Sequence, residues 1–238
     1  MGVIIDRAVE PQLFEALKEH TKDCFKSFNC DFLYTPVNTH PDMQIHFTDF
    51  KTAVVAPVAY QYYKNILPDT ITLIKGNSNP GRTYPEDCAY NVARMGKKII
   101  GKLALIDNKI LEIYTQNGFE FIDVKQGYTK CNLCIIDENS AITEDEGIFK
   151  VLNNKGVDVL KIPAGFVSLK GFKNGFIGGA SGFVAPNKIA FWGSLQNHPY
   201  CHEIEAFIRS RNVDIIYLSS NKLEDYGSIL YFDSSFPK

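Results

Sequence analysis

Short apolar segments recur along this chain, and each lies beside a polar or glycine-bearing position. The positions that mark them are His46, Asn91, Asn132, Gly179 and Gly227, which are separated by 45, 41, 47 and 48 residues. A period of this length indicates one structural unit repeated along the chain. We therefore expect one supersecondary unit in each period.

Four of these segments open the same series of predicted elements. The apolar segment reads as a first strand, and a second strand, an amphipathic helix and a closing strand follow it. The predicted second strands cover residues 52–56, 97–102, 141–143 and 188–193. The predicted helices cover residues 59–67, 108–118, 145–156 and 199–212. The predicted closing strands cover residues 71–74, 119–124, 157–162 and 213–219. Thr143 is the expected N-cap of the third helix, with Glu146 completing a capping box.

The two ends of the chain complement each other. The fifth unit begins at residues 227–232, close to the C-terminus. The N-terminus supplies the missing pieces as a strand at 3–7, a helix at 10–25 and a strand at 31–35. The sequence therefore predicts a single α/β domain over residues 1–238, a closed propeller of five ββαβ units whose first strands line the axis. Closure covers the strand edges that an open array exposes.

Composition narrows the functional classes. The 238 residues are 45% hydrophobic and 22% charged, with a formal net charge of −2, which is typical of an ordinary globular protein. This charge does not favour a nucleic-acid or anionic membrane partner. No apolar run is long enough for a membrane span, and the first residues lack the pattern of a signal peptide. We expect a cytoplasmic protein whose six cysteines are free thiols.

Three phrases point to a known superfamily. His40-Pro41-Asp42-Met43-Gln44 resembles the segment that carries a substrate-binding aspartate in agmatine deiminases. The segment 226–231 resembles their terminal glycine-rich phrase, which ends in a nucleophilic cysteine, and residues 175–178 lie where those enzymes have Gly-His-Ile-Asp. With the five-unit pattern, the chain resembles the pentein fold, the α/β propeller of guanidino-modifying enzymes. The resemblance implies a thiolate nucleophile, a proton-transferring histidine and carboxylates that hold the guanidinium.

The chain departs from this pattern at both chemical positions. Phe176 stands at the place of the histidine, and Tyr231 stands at the place of the cysteine. The sequence resembles a bacterial branch of the superfamily that lacks the usual pair. We therefore do not expect the standard deiminase or amidinotransferase reaction.

Cys131 and Cys134 form a CxxC pair on a predicted strand. A zinc knuckle normally needs a second such pair, and a redox pair normally opens a helix, so both interpretations are disfavoured. Two interpretations of Cys131 stay open. It is either a relocated nucleophile whose pKa Lys130 lowers, or a small buried strand residue.

Further polar residues are expected on the inner side of the ring. The candidate catalytic residues are Cys131, His46 and Asp42, and the candidate ligand-binding residues are His40, Asn91, Lys130, Ser181, Asp225 and Ser228. A carboxylate beside imidazoles is suited to acid–base work, but surface histidines and turn-capping aspartates are the structural alternative. Glycines at 178, 179 and 182 either expose backbone N–H groups to an anion or fit a crowded turn.

Two functions follow from this pattern. In the first, the ring binds a small polar, amino-acid-like or guanidino ligand in an axial pocket, as a divergent hydrolase-like enzyme or binder without metal or organic cofactor. In the second, it is a noncatalytic protein-interaction module, resembling the pentein-fold factor that binds a ribosomal subunit. The sequence leaves the oligomeric state open.

Overall fold

The computed structural model of the chain describes residues 1–233, which form a mixed α/β fold. Within these residues the helices are α1 (Pro11–Lys18), α2 (Tyr60–Ile66), α3 (Asn108–Gln116), α4 (Thr129–Asn132), α5 (Glu146–Asn154) and α6 (Cys201–Arg209). The strands of the first half are β1 (Gly2–Ile5), β2 (Asp23–Lys26), β3 (Ile45–Phe47), β4 (Thr52–Val55), β5 (Thr72–Lys75), β6 (Ala93–Met95), β7 (Lys98–Gly101) and β8 (Glu120–Asp123). The later strands are β9 (Leu133–Ile135), β10 (Ser140–Thr143), β11 (Asp158–Lys161), β12 (Val167–Ser168), β13 (Ser181–Ala185), β14 (Lys188–Phe191), β15 (Asp214–Tyr217), β16 (Leu223–Glu224) and β17 (Leu230–Phe232).

Most strands belong to three-stranded sheets that share one topology. In each, the middle strand runs antiparallel to the strand before it and parallel to the strand after it. Within residues 1–233 these sheets have the orders β3-β4-β5, β6-β7-β8, β9-β10-β11, β13-β14-β15 and β17-β1-β2. A helix connects each parallel pair, as a parallel crossover requires. The connecting helices are α1, α2, α3, α5 and α6.

The first and last described strands share a sheet. Strand β1 pairs with β17 so that Gly2 lies opposite Phe232, and the other edge of β1 pairs with β2. The predicted meeting of the two termini in one unit is therefore seen in the strand pairing.

The prediction for the N-terminal unit is wrong in two places. Helix α1 ends at Lys18 rather than at residue 25, and residues 31–35 form no strand; Asp23–Lys26 is the strand instead. Pairing with β1 outweighs the helical pattern here, and Phe25 packs on Phe232 with ring centroids 5.9 Å apart. Thr35–Val37 forms a 3-10 turn instead, and Pro36, its second residue, has no N–H to donate to a sheet.

The core lies along the middle strands and the helix faces that cover them. The middle-strand residues Val3, Ile4 and Ile5 are fully buried, and each such side chain contributes about 1.5–3 kcal/mol. The helices bury one stripe, such as Ile204 and Ile208 in α6. Within the described residues, no helix combines the length and apolarity that a membrane crossing demands.

The N-cap of α5 also differs from the prediction. The Asp145 carboxylate accepts a hydrogen bond of 2.8 Å from the Ile148 N–H, so Asp145 is the N-cap. The Thr143 hydroxyl instead accepts a hydrogen bond of 3.1 Å from the Asp145 N–H. Thr143 is the last residue of β10 and lies two residues before the N-cap position, so it does not cap α5.

Candidate functional site

Three side chains that are distant in sequence meet inside the molecule. The Cys131 thiol donates to Asp42 Oδ2 at 3.1 Å, and the Ser228 hydroxyl lies 2.7 Å from the same oxygen. The Ser228 hydroxyl also lies 2.9 Å from the carbonyl oxygen of Gly178, and it has one proton to donate. Asp42, which lies in a 3-10 turn at Pro41–Met43, is thus held from two sides.

Asn91 positions Cys131 through both ends of its amide. Its Oδ1 accepts hydrogen bonds from the N–H groups of Lys130 and Cys131 at 2.8 and 3.2 Å. Its Nδ2 lies 3.1 Å from Cys131 Sγ and donates to it. The predicted strand position of Cys131 is therefore wrong. The Asn91 carbonyl satisfies the first N–H groups of the short helix α4, which holds Cys131, whereas Cys134 lies on β9.

Lys130 is the cation beside this cluster. Its Nζ donates to the Ser228 hydroxyl at 3.1 Å, and its charge favours the ionised form of Asp42. Ser228 has a positive φ of 69°, an unusual conformation for a non-glycine residue. That backbone geometry places its hydroxyl between Lys130 and Asp42.

A second cluster surrounds His40. Its Nε2 lies 3.7 Å from Asp6 Oδ2, and its Nδ1 lies 4.0 Å from Asp225 Oδ1. The Asp225 carboxylate accepts hydrogen bonds from the N–H groups of Gly227 and Phe176, at 2.9 and 3.0 Å. His40 and Asp225 approach Cys131 as well, because one donor atom from each of the three residues lies within 4.8 Å of the others.

The glycine-rich segment after Phe176 serves close packing. A Cβ on Gly178 would lie 2.5–2.6 Å from the carbonyl oxygens of Lys130, Cys131 and Leu133. A Cβ on Gly179 would lie 2.0 Å from Asp225 Oδ1. Of the two interpretations of this segment, the crowded turn therefore agrees with its surroundings.

Burial shapes the electrostatics of these carboxyl groups. Desolvation raises the pKa of Asp6 and of Asp42 to about 6, that of Glu144 to about 7 and that of Asp225 to about 8. Asp42 and Glu144 further raise the pKa of Asp225 by like-charge repulsion. This interior is therefore rich in carboxylates and favours a cation.

Cys131 is not a thiolate in this environment. It is 4% exposed, and desolvation followed by the charge of Asp42 raises the pKa of its thiol well above the ordinary value. The predicted lowering of this pKa by Lys130 is wrong, because the neighbouring carboxylates and burial dominate.

A cavity of about 450 Å³ borders Asp42. Its polar lining includes Asp42, His46, Arg94, Lys130 and Ser181. Its apolar walls include Ile45, Val92, Phe183, Ile229 and Leu230, together with the Tyr231 ring. A chamber of this kind, mostly apolar with a few polar groups, is typical of small-molecule sites.

Two polar atoms of the cavity-lining residues are buried without a hydrogen-bond partner among residues 1–233. They are Asp42 Oδ1 and Arg94 Nε, one an acceptor and the other a donor. A buried polar atom left unpaired costs about 1–3 kcal/mol, and more when its group is charged. Such an atom beside a cavity is a candidate contact for a ligand.

Two of the predicted site residues are engaged elsewhere. His46 Nε2 lies 2.7 Å from the Tyr114 hydroxyl, and burial lowers the pKa of His46 to about 3. The Ser181 hydroxyl donates to the Ile177 carbonyl oxygen at 2.8 Å. Both residues border the cavity, but these hydrogen bonds within residues 1–233 go to Tyr114 and Ile177 rather than to Cys131.

The sequence interpretation missed three residues of this region. Asp6 follows the apolar strand β1, Glu144 follows β10, and Arg94 lies on β6. An acidic residue after a continuous apolar run is a usable signal for Asp6, because such a strand is buried along its length. The alternation of Ala93, Arg94 and Met95 gives no comparable signal, since it matches an ordinary half-buried strand.

One protein-family model matches most of this chain. The model of a protein family described as "Family of unknown function (DUF6873)" matches residues 4–230. A search of curated protein sequences finds no match.

Solved structures of guanidino-modifying enzymes share the fold. DDAH from Pseudomonas aeruginosa in complex with citrulline has a TM-score of 0.57 at 11% identity, covering 92% of both chains. C. jejuni agmatine deiminase has a TM-score of 0.52 at 12% identity, covering 92% of this chain and 86% of its own. These similarities confirm the predicted fold relationship with the pentein enzymes. The loss of the catalytic pair at Phe176 and Tyr231 stays a prediction.

Proposed function

This chain belongs to the DUF6873 family, and we propose that it binds a small polar, amino-acid-like or guanidino ligand in the cavity beside Asp42. The observation that carries the proposal is Asp42 Oδ1, a buried carboxylate oxygen without a hydrogen-bond partner among residues 1–233, in a residue that lines a cavity. Asp42 is 1% exposed, so the ligand reaches this oxygen only by displacing the side chains that cover it. A cationic donor is the natural partner of such an oxygen, since charge-assisted hydrogen bonds are the strong ones.

The second unpaired atom defines the other end of the ligand. Arg94 Nε is a buried cationic donor on the same cavity, and a carboxylate matches it. Apolar walls such as Val92 and Phe183 suit a chain of methylene groups. A ligand with a cation, an apolar middle and an anion satisfies all three features.

Relatives of the same fold support the amino-acid-like or guanidino class. One solved structure is that of DDAH complexed with citrulline, and another is that of C. jejuni agmatine deiminase with substrate bound. Their low identity shows the fold alone, so the class of ligand rests on the charges of Asp42 and Arg94 in this chain.

We further propose that the sheets close into a five-unit α/β propeller around this cavity. Supporting this are the shared topology of the sheets and the pairing of β17 with β1. The first strand β13 contacts the first strands β9 and β17 of two other sheets, as expected for strands around an axis.

Hydrolysis is the second candidate, favoured by the contact of the Cys131 thiol with Asp42. Asp42 would take the thiol proton as the thiolate forms a bond to the guanidinium carbon, and it would return that proton to the amine as the carbon–nitrogen bond breaks. Water would then add its oxygen to the same carbon and break the sulfur–carbon bond, which releases a ureido product and restores the thiol. Because Cys131 is 4% exposed, this reaction requires ligand binding to open a path from the cavity to the thiol.

Isothermal titration calorimetry with L-arginine, agmatine and L-citrulline tests the binding. We expect L-arginine to bind, and we expect at least tenfold weaker binding of citrulline, whose side chain is uncharged, and of agmatine, which has no carboxylate for Arg94. Asp42→Asn removes the charge but keeps a polar group of the same shape. We expect it to weaken L-arginine binding about 10- to 100-fold, which corresponds to the loss of one charge-assisted hydrogen bond.

Glu138→Gln is the matched control, because it also removes one negative charge from the cavity lining, at an exposed position. It should change L-arginine affinity by less than about threefold, since exposed charges are screened. Equal losses in the two variants, or no binding of L-arginine, would contradict the proposal and favour a protein-interaction module. Mass spectrometry of Cys131 after incubation with L-arginine tests the hydrolytic version through a covalent adduct.

A further inference from the structure

We propose that His40, Cys131 and Asp225 form a buried zinc-binding site. The three residues come from separate parts of the chain, and the fold places one donor atom of each within 4.8 Å of the other two. This inference does not rest on the proposed ligand binding, because Asp42 is not one of the three donors. Asp42 Oδ2 does lie 3.1 Å from Cys131 Sγ, so the zinc measurements below are made without a cavity ligand.

The chemistry of the three donors favours zinc. A thiolate, an imidazole nitrogen and a carboxylate oxygen are the ligand types that zinc takes in proteins, usually in tetrahedral geometry. Magnesium and calcium prefer sites made of oxygen alone. Three protein donors leave the fourth tetrahedral position to water.

The spacing requires little movement. The centre of a triangle with sides of 4.8 Å lies about 2.8 Å from each corner, compared with about 2.0–2.3 Å for bonds to zinc. Each donor therefore has to move inward by at most about 0.8 Å, a distance that side-chain rotation supplies.

Asp6 supports the same assignment from the far side of His40. His40 Nε2 faces Asp6 Oδ2 at 3.7 Å, whereas Nδ1 faces Asp225. A metal-bound histidine usually directs its other nitrogen at a carboxylate, which fixes the tautomer and the ring orientation. Asp6 is suited to that role, with Nδ1 as the nitrogen that binds the ion.

Burial and charge at these three residues favour an ion site over a catalytic pair. His40, Cys131 and Asp225 are each 4% exposed or less, and none of them lines the cavity described beside Asp42. An organic substrate reaches them only if a path from the cavity opens, whereas an ion occupies little space. Zinc with one thiolate, one carboxylate and a neutral imidazole makes the site electrically neutral, which offsets the cost of burying the two anions.

The CxxC motif contributes one of its cysteines to this site. Cys134 lies on β9, outside the cluster, and its Sγ is close to Ser181. The geometry therefore does not support a zinc knuckle formed by both cysteines.

Metal content of the full-length protein tests the proposal. Protein produced with added zinc chloride and purified without chelators should carry about one zinc per chain by mass spectrometry of the metal. Exchange with cobalt(II) should produce the near-ultraviolet thiolate-to-cobalt absorption band. Chelator treatment should abolish this band and increase the alkylation of Cys131.

Variants assign the donors. His40→Gln, Cys131→Ser and Asp225→Asn should each lose most of the bound zinc, and Asp6→Asn should weaken zinc binding about 10- to 100-fold. Cys134→Ser is the matched control and should retain the metal. A folded wild-type protein that binds neither zinc nor cobalt overturns the proposal, as does equal zinc loss in Cys134→Ser and Cys131→Ser. The wild-type cobalt spectrum decides the question even where a variant fails to fold.

Discussion

Replacing Glu144 by glutamine isolates the cost of one buried negative charge. Glu144 is 7% exposed, its Oε2 accepts a hydrogen bond of 3.0 Å from the Ile177 N–H, and its Oε1 has no partner among residues 1–233. Desolvation raises the pKa of Glu144 from 4.5 to about 7. Glutamine keeps an acceptor for the Ile177 N–H and never ionises.

The way in which Glu144 makes the folding stability depend on pH follows from proton binding. Because the folded pKa is above the unfolded one, the native state holds the proton more tightly between pH 4.5 and 7. The stability that this protonated carboxyl gives is complete below pH 4.5 and is lost as the pH rises through 7. A shift of this size corresponds to roughly 3 kcal/mol at most, at about 1.4 kcal/mol per pH unit.

Thermal unfolding followed by circular dichroism at several pH values measures this difference. The midpoints of wild type and Glu144→Gln should nearly coincide at pH 4.5. At pH 8 the variant should unfold about 5–10 °C higher, since each kcal/mol moves the midpoint by about 2–4 °C in a chain of this length. Glu138→Gln, at an exposed position, should show a difference that does not change with pH. A constant gap for Glu144→Gln, or a gap that widens toward acid, would refute the reasoning.

Two further predictions concern packing and access. Gly178→Ala should lower the unfolding free energy by about 1–3 kcal/mol, because its Cβ meets three backbone carbonyl oxygens. Gly147→Ala inside α5 should change it by less than about 1 kcal/mol, because the gain in helix propensity is offset by a Cβ 3.1 Å from Asp145 Oδ1. Chemical denaturation compares the two variants, and equal losses would contradict the packing account. Iodoacetamide should label the half-buried Cys24 and Cys201 well before Cys30, Cys88, Cys131 and Cys134 in the folded protein; peptide mass spectrometry gives the order, and early labelling of Cys131 would contradict its burial.

The repeat was predictable because local patterns repeat with it. Residues 108–118 carry an apolar stripe, and Ile110 and Tyr114 of α3 are buried as that stripe requires. The helix predicted through residue 25 was wrong because residues 23–26 form a strand by pairing with β1. Strand β1 is distant in sequence from the helical pattern that precedes residue 23. Non-local pairing of this kind leaves little trace in a short window of sequence.

Several members of the candidate site were predictable, but Arg94, Asp6 and Glu144 were not, and neither were the contacts that group the residues. The resemblance to the pentein enzymes drew attention to Asp42, and the repeat drew attention to Asn91 and Cys131. Their contacts depend on side-chain geometry across the interior, which spacing along the chain does not encode. His40 rather than His46 lies near Cys131, although the two histidines are six residues apart on one segment.

A crystal structure of the protein soaked with L-arginine tests the central claim most directly. The cationic guanidinium should lie with a nitrogen about 2.7–3.0 Å from Asp42 Oδ1, inside the cavity. Well-ordered L-arginine bound away from Asp42, or a cavity that stays without L-arginine at saturating concentration, would contradict the account.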